Sequence, residues 1–163
     1  MKLFAVTDGV VSVSREYPKR PLVGAGALIL RDGKLLLVKR GAQPGYGKWS
    51  VPGGLVELGE KVQDAMVREV KEEVGFDVEA VKLTDVADTI TLDSDGRVQY
   101  HFVVVNFVAR IVGGELKTAT DILEARWVPI DEVEKVDLTG SFRAFFEKHK
   151  AEIVRLAGVR WRV

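Results

Sequence analysis

Residues 49 to 76 read WSVPGGLVELGEKVQDAMVREVKEEVGF. A Pro-Gly-Gly turn at 52 to 54 hands the chain to a segment with helical apolar spacing. When residues 60 to 74 are wound at about 100° per residue, Val62, Met66, Val70 and Val74 fall on one face. Glu73 lies inside that apolar arc, and Glu69 and Glu72 flank its edge. An ordinary solvated helix sets its acids opposite the apolar stripe, whereas these line the boundary of what must be buried. Carboxylates this crowded repel one another unless a cation or a shared proton offsets the charge. A hard divalent cation bound through oxygens suits the cluster, and Mg²⁺, which keeps waters and bridges to phosphates, suits it best. Intrahelical pairing of Arg68 with Glu72 at i,i+4 is the plainer account of the same acids.

The spacing around the acids is more specific than the acids themselves. Gly54 is followed after five residues by Glu60, and after seven more by Arg68-Glu69-Val70-Lys71-Glu72-Glu73-Val74-Gly75-Phe76. At every specified position this resembles the signature of the Nudix hydrolases: G, five of any residue, E, seven of any residue, then R-E-apolar-x-E-E-x-G-apolar. The resemblance implies an α/β/α sandwich, with a mixed β-sheet between the signature helix and a C-terminal helix. It also implies hydrolysis, dependent on Mg²⁺ or Mn²⁺, of a diphosphate linked to another moiety. Carried over by position, Glu69, Glu72 and Glu73 are metal ligands, with the Gly53 carbonyl as an extra one. Arg68 orients the glutamates, Glu60 secures the loop-helix junction, and Gly54 and Gly75 complete the motif. Glu69 or an acid from a later loop serves as general base. That loop enters the run DILEARWVP, where Asp121 and Glu124 are both candidates.

Outside this stretch the chain reads as one α/β domain over residues 1 to 163. With 47% hydrophobic and 29% charged residues it has the composition of a soluble globular protein. Its formal net charge is zero, without a block of like charge, which argues against broad capture of nucleic acid polymers or anionic membranes. Absence of cysteine excludes disulfides, thiolate zinc sites and a cysteine nucleophile. No signal-like or membrane-spanning run stands out, so the cytoplasm is the default location. Residues 1 to 20 place Asp8-Gly9 between LFAVT and VVSVS, the pattern of an extra hairpin; packed on a second copy, it would make a homodimer contact.

Val23 to Leu30 and Lys34 to Lys39 are apolar strand candidates around Asp32-Gly33, and Val78 to Leu92 and Val98 to Ile111 form a longer pair around Asp95-Gly96. Ser141 to Leu156 carries Phe142, Phe145, Phe146, His149, Ile153 and Leu156 at helical spacing and should cover the sheet face opposite the first helix. His101 and His149 read as packing residues. Lys39 and Arg40 end a strand at the glycine-rich loop 41 to 48 and are candidates for holding a substrate phosphate, while Tyr46 and Trp49 are candidates for stacking on a base. Asn106 is the single asparagine.

The expected substrate is a small nucleoside diphosphate derivative. The long hairpin followed by EARWVP resembles the ADP-ribose pyrophosphatase-like branch, with AMP and ribose 5-phosphate as products, although residues 91 to 93, Thr-Leu-Asp, lack a proline frequent there. The alternative is removal of pyrophosphate from (d)NTPs, oxidised guanine nucleotides included. More distant is a non-catalytic domain that senses a nucleotide.

Overall fold

The computed structural model describes residues 14 to 158. Most of the hairpin expected over residues 1 to 20 therefore lies outside the described residues, and residues 14 to 20 contain no strand. In chain order the elements are β1 (Leu22–Arg31), β2 (Lys34–Arg40), β3 (Trp49–Ser50), β4 (Gly53–Leu55), α1 (Val62–Val74), β5 (Phe76–Leu92), β6 (Val98–Gly114), β7 (Ile122–Pro129), a 3₁₀ turn (Ile130–Lys135) and α2 (Gly140–Ala157).

The β1–β2 turn is made by Asp32 and Gly33, both at positive φ, as a tight hairpin requires. The two strands pair only beside this turn, at Leu30↔Leu35 and Arg31↔Lys34. Beyond it they part. β1 runs parallel to β6 and takes β4 on its other side, while β2 pairs with β7 and β3. β5 pairs with β6 along almost its whole length, so the sheet is mixed.

Strand alternation sends successive side chains to opposite faces, and the two cores follow it. Ala25, Ala27 and Ile29 of β1 with Leu36 and Val38 of β2 meet Ala65, Met66, Val70 and Val74 of α1. Leu28, Leu30, Leu35 and Leu37 point the other way, onto Phe142, Phe145, Phe146 and Ile153 of α2. The result is the three-layered sandwich expected from the sequence, with one helix on each face.

α1 starts at Val62, two residues later than its apolar spacing suggested. Lys61 is extended, and Glu60 is diverted from the helix because its carboxylate accepts the Glu57 N–H at 2.9 Å and is held by Arg68. α1 ends at Gly75, whose φ of 79° closes the last turn with an N–H donated to the Lys71 carbonyl at 3.0 Å. α2 is capped by the Thr139 hydroxyl, which accepts the Phe142 N–H. It is tied to β5 by His149, 2.7 Å from Asp85, and by Lys148, 2.9 Å from the same carboxylate.

Candidate active site

Where β1 and β2 part, a cavity of about 470 Å³ opens between the α1 acids and the start of α2. Its lining includes Gly24 and Gly26 of β1, Val38 and Arg40 of β2, Gly53 and Gly54, Glu69 and Glu73 of α1, and Asp121. Thr89, Phe102 and Asn106 line it from the β5–β6 hairpin, and Thr139, Ser141 and Phe142 from the start of α2.

Glu73 turns inward and accepts the Gly53 N–H at 2.9 Å. Burial pushes its carboxyl up to about 8; the Gly53 hydrogen bond works against burial, and the charges of Glu69 and Asp121 add to it. Burial also raises Glu69, in spite of Arg68 beside it. Glycine is needed where the backbone meets these acids. A Cβ on Gly54 would lie 2.3 Å from the Glu69 carboxyl carbon, and one on Gly53 would lie 2.1 Å from the Ala25 carbonyl oxygen.

Arg68 is the hub of the motif. It holds Glu60 through two parallel bonds, Nε at 2.7 Å and Nη2 at 2.9 Å, and its Nη1 reaches Glu69 at 2.9 Å and Glu72 at 3.2 Å. Nη2 also donates to the Leu55 carbonyl, which anchors α1 to β4. These bonds hold the Glu60 carboxyl down at about 2. Among the described residues, no three acidic or histidine side chains are arranged to hold a metal ion as they stand. Arg68 occupies Glu69 and Glu72, and Gly53 occupies Glu73. The donors around the cavity are nonetheless carboxyl oxygens, and a bound cation would favour the ionised forms that burial opposes in Glu69 and Glu73, so the residue set fits a hard divalent ion.

The other residues singled out in the sequence separate into two groups. Arg40 lines the cavity, its Nε donating to the Pro44 carbonyl at 2.8 Å, and Asp121 lines it too, its carbonyl accepting the Gly41 N–H at 3.0 Å. Lys39, Tyr46 and Glu124 are not part of the lining. Glu124 pairs across strands with Lys39 and is bound by Arg126 at 2.7 Å. Trp49, offered by the sequence as a stacking surface, is 6% exposed and packs in the α2-side core with Arg126 over its ring. Its place on β3, under α2, made core the stronger pull. Arg15, Thr89, Asn106 and Ser141 were missed. A recoverable signal was alternation: small or polar residues at every second position of β1 and β5, Gly24 and Gly26 with Ala87, Thr89 and Thr91, leave room on one face.

A family model for the NUDIX domain matches residues 20–149. The chain belongs to the Nudix family of pyrophosphohydrolases, which act on phosphorus-containing anhydrides. It is 36% identical over 116 residues to an ADP-ribose pyrophosphatase from Methanocaldococcus jannaschii, covering 71% of this chain and 66% of that protein. Over 124 residues it is 34% identical to an 8-oxo-dGDP phosphatase from Mus musculus, covering 74% of this chain and 34% of that one. The match thus spans less than two thirds of either relative. The crystal structure of a MutT NUDIX hydrolase from Burkholderia pseudomallei superposes with a TM-score of 0.67 at 33% identity, covering 79% of this chain and 98% of that one.

Proposed function

We propose that the protein hydrolyses the diphosphate bond of a nucleoside diphosphate linked to another moiety, with ADP-ribose the favoured substrate and AMP and ribose 5-phosphate the products. The observation that carries this reading is the pairing of charge around one cavity: half-buried Glu73 and Glu69 line it together with Arg40 and Arg15. A diphosphate needs both, cations to hold its oxygens and carboxylates to hold what neutralises them. Kinship with a named ADP-ribose pyrophosphatase supports the choice of substrate.

Glu69, Glu72 and Glu73 would hold the divalent ion, Mg²⁺ or Mn²⁺, with the Gly53 carbonyl beside them. When bound, such an ion neutralises diphosphate charge and makes water a better nucleophile. Arg68 holds Glu69, which lines the cavity, and Glu72, which stands outside its lining, while Glu60, gripped by two bonds, fixes Arg68 itself. Arg40 and Arg15 bind phosphate oxygens. Glu69 and Asp121, which both line the cavity, are the candidates for taking the proton from the attacking water. Comparing the pH–rate profiles of Glu69→Gln and Asp121→Asn decides between them, since loss of the base removes the acidic limb.

A second reading, hydrolysis of oxidised guanine nucleotides, is favoured by the relative named as an 8-oxo-dGDP phosphatase. Product analysis separates the two: AMP and ribose 5-phosphate from ADP-ribose, a nucleoside monophosphate and phosphate from 8-oxo-dGDP, or a monophosphate and pyrophosphate from a triphosphate. Turnover of none of these with Mg²⁺ or Mn²⁺ overturns the proposal. We further propose one domain over residues 1 to 163, a cytoplasmic location and a homodimer. No helix among the described residues is long and apolar enough to cross a membrane.

A further inference from the structure

Residues 14 to 20 form no strand or helix, yet the segment is held in place at the end of the β5–β6 hairpin. The Tyr17 N–H is donated to the Gln99 carbonyl at 2.8 Å, and the Tyr17 hydroxyl to the Asp93 carboxylate at 3.0 Å. Asp93 is itself fixed, accepting Arg97 Nε at 2.8 Å, and the Arg97 guanidinium lies 5.2 Å from the centre of the Tyr17 ring. One residue earlier, Glu16 accepts a bond from the Gln99 carboxamide at 2.8 Å. Tyr17 takes a φ of 50° immediately before Pro18, an unfavourable conformation for a residue with a Cβ and one at odds with the extended backbone preferred before proline. Fixing an irregular segment in such a shape costs free energy, which these contacts offset.

What the tie delivers is Arg15. The same end of the hairpin sends Thr89, Thr91 and Phe102 into the cavity, and Arg15 lines the cavity with them. No hydrogen bond or ion pair joins the Arg15 guanidinium to any other described residue. Its charge nevertheless reaches the centre of the site. Burial chiefly raises Glu69 and lowers Arg40, and Arg15 pulls Glu69 down while adding to the lowering of Arg40. Two arginines that disfavour each other's charge are reconciled by an anion that both can reach. A guanidinium with five donors and no acid of its own is suited to that anion.

Resting on the function proposed above, we infer that Tyr17 is a positioning residue: its tie to Asp93 and Gln99 holds Arg15 at the cavity, where the guanidinium meets the diphosphate of the substrate. The logic is one of populations. A ligand whose site includes a segment in place only part of the time binds with an affinity reduced by that fraction. Loosening the tie therefore weakens binding through Arg15 alone, and by no more than the loss of Arg15 itself. Hydroxyl and ring both contribute to the tie, so the weakening is graded as they are removed. A tie that merely covered Tyr100, 9% exposed beside Gln99 on β6, would act alike with or without Arg15.

The test is a double-mutant cycle on the full chain with ADP-ribose as substrate. Arg15→Gln should raise KM about tenfold or more, the range for hydrogen bonds to a charged group. Tyr17→Ala should raise it about fivefold or more without exceeding Arg15→Gln, since it loses a hydrogen bond and a cation–π contact. Tyr17→Phe, which keeps the ring, should fall between Tyr17→Ala and wild type. In an Arg15→Gln background, Tyr17→Ala should add less than about twofold. An equal effect of Tyr17→Ala with and without Arg15, or an effect on kcat in place of KM, overturns the inference. Titration with ADP in the absence of metal repeats the comparison free of turnover. If wild type cleaves ADP-ribose while Arg15→Gln leaves KM and ADP affinity unchanged, the inference fails and the proposed function stands. ADP binding that depends on Arg15 and Tyr17, in a protein that cleaves no nucleoside diphosphate derivative, removes the proposed hydrolysis and keeps the tie. Neither binding nor cleavage removes both.

Discussion

Replacing Glu73 by glutamine keeps the shape that accepts the Gly53 N–H and removes the charge buried beside it. Glu73→Gln and Glu72→Gln should each lower kcat by at least about a hundredfold, because several kcal/mol of stabilisation of the diphosphate charge depend on these oxygens. The circular dichroism melt of Glu73→Gln should stay at or above wild type, since a carboxyl whose ionised form burial disfavours is replaced by a neutral amide. Near-normal turnover by either with Mg²⁺ would refute their assignment as ligands. Arg68→Ala is expected to lose about 10–100-fold in activity or metal affinity, as is usual when a group orienting ligands is removed. Isothermal titration with Mg²⁺ alongside the assay checks both readouts. These residues were legible in the sequence because the motif fixes type and spacing together. Lys39, Tyr46 and Trp49 were chosen on chemistry alone, and chemistry does not say which way a side chain points. Asn106 escaped notice as a cavity residue because the space it occupies is left by Gly26, eighty residues earlier in the chain.

Both helices were legible from periodicity, and the long β5–β6 hairpin from its turn. The parting of β1 from β2 was not. It depends on which distant strands, β6 and β7, compete for their edges, and such pairings leave no local trace. α2 packs on β1, β2 and β3, and Phe146 is fully buried there. Phe146→Ala should cost about 3–5 kcal/mol in urea unfolding. At the end of α1, Gly75→Ala places a Cβ 2.5 Å from the Glu115 carbonyl oxygen in a left-handed residue, so a loss of at least about 1 kcal/mol is expected by the same measurement. The α2–β5 tie carries a pH signature. Hydrogen bonds from His149 and then Lys148 hold the Asp85 carboxyl down to about 2. A carboxylate depressed on folding stabilises above its unfolded value, near 3.9, and that contribution is lost as pH falls through about 2. Melting temperature plotted against pH should therefore fall less steeply over this window in Asp85→Asn than in wild type.

At the level of the whole molecule, β5 forms one edge of the sheet, and Leu83, Val86, Ile90 and Leu92 along it are each more than half exposed. Apolar surface of this kind on an edge strand favours association with a second copy. Light scattering should report a dimer for wild type and a smaller species for Val86→Lys with Ile90→Lys; a monomer at every concentration would refute the homodimer. The sheet also divides the work. The acids of the cavity, Glu69 and Glu73, stand on α1, and the far part of its lining is supplied by β5, β6 and the start of α2. Selectivity and turnover can therefore drift apart during evolution. A lineage can retune what it degrades by exchanging residues on the α2 side, while the machinery of bond cleavage passes unchanged to its descendants.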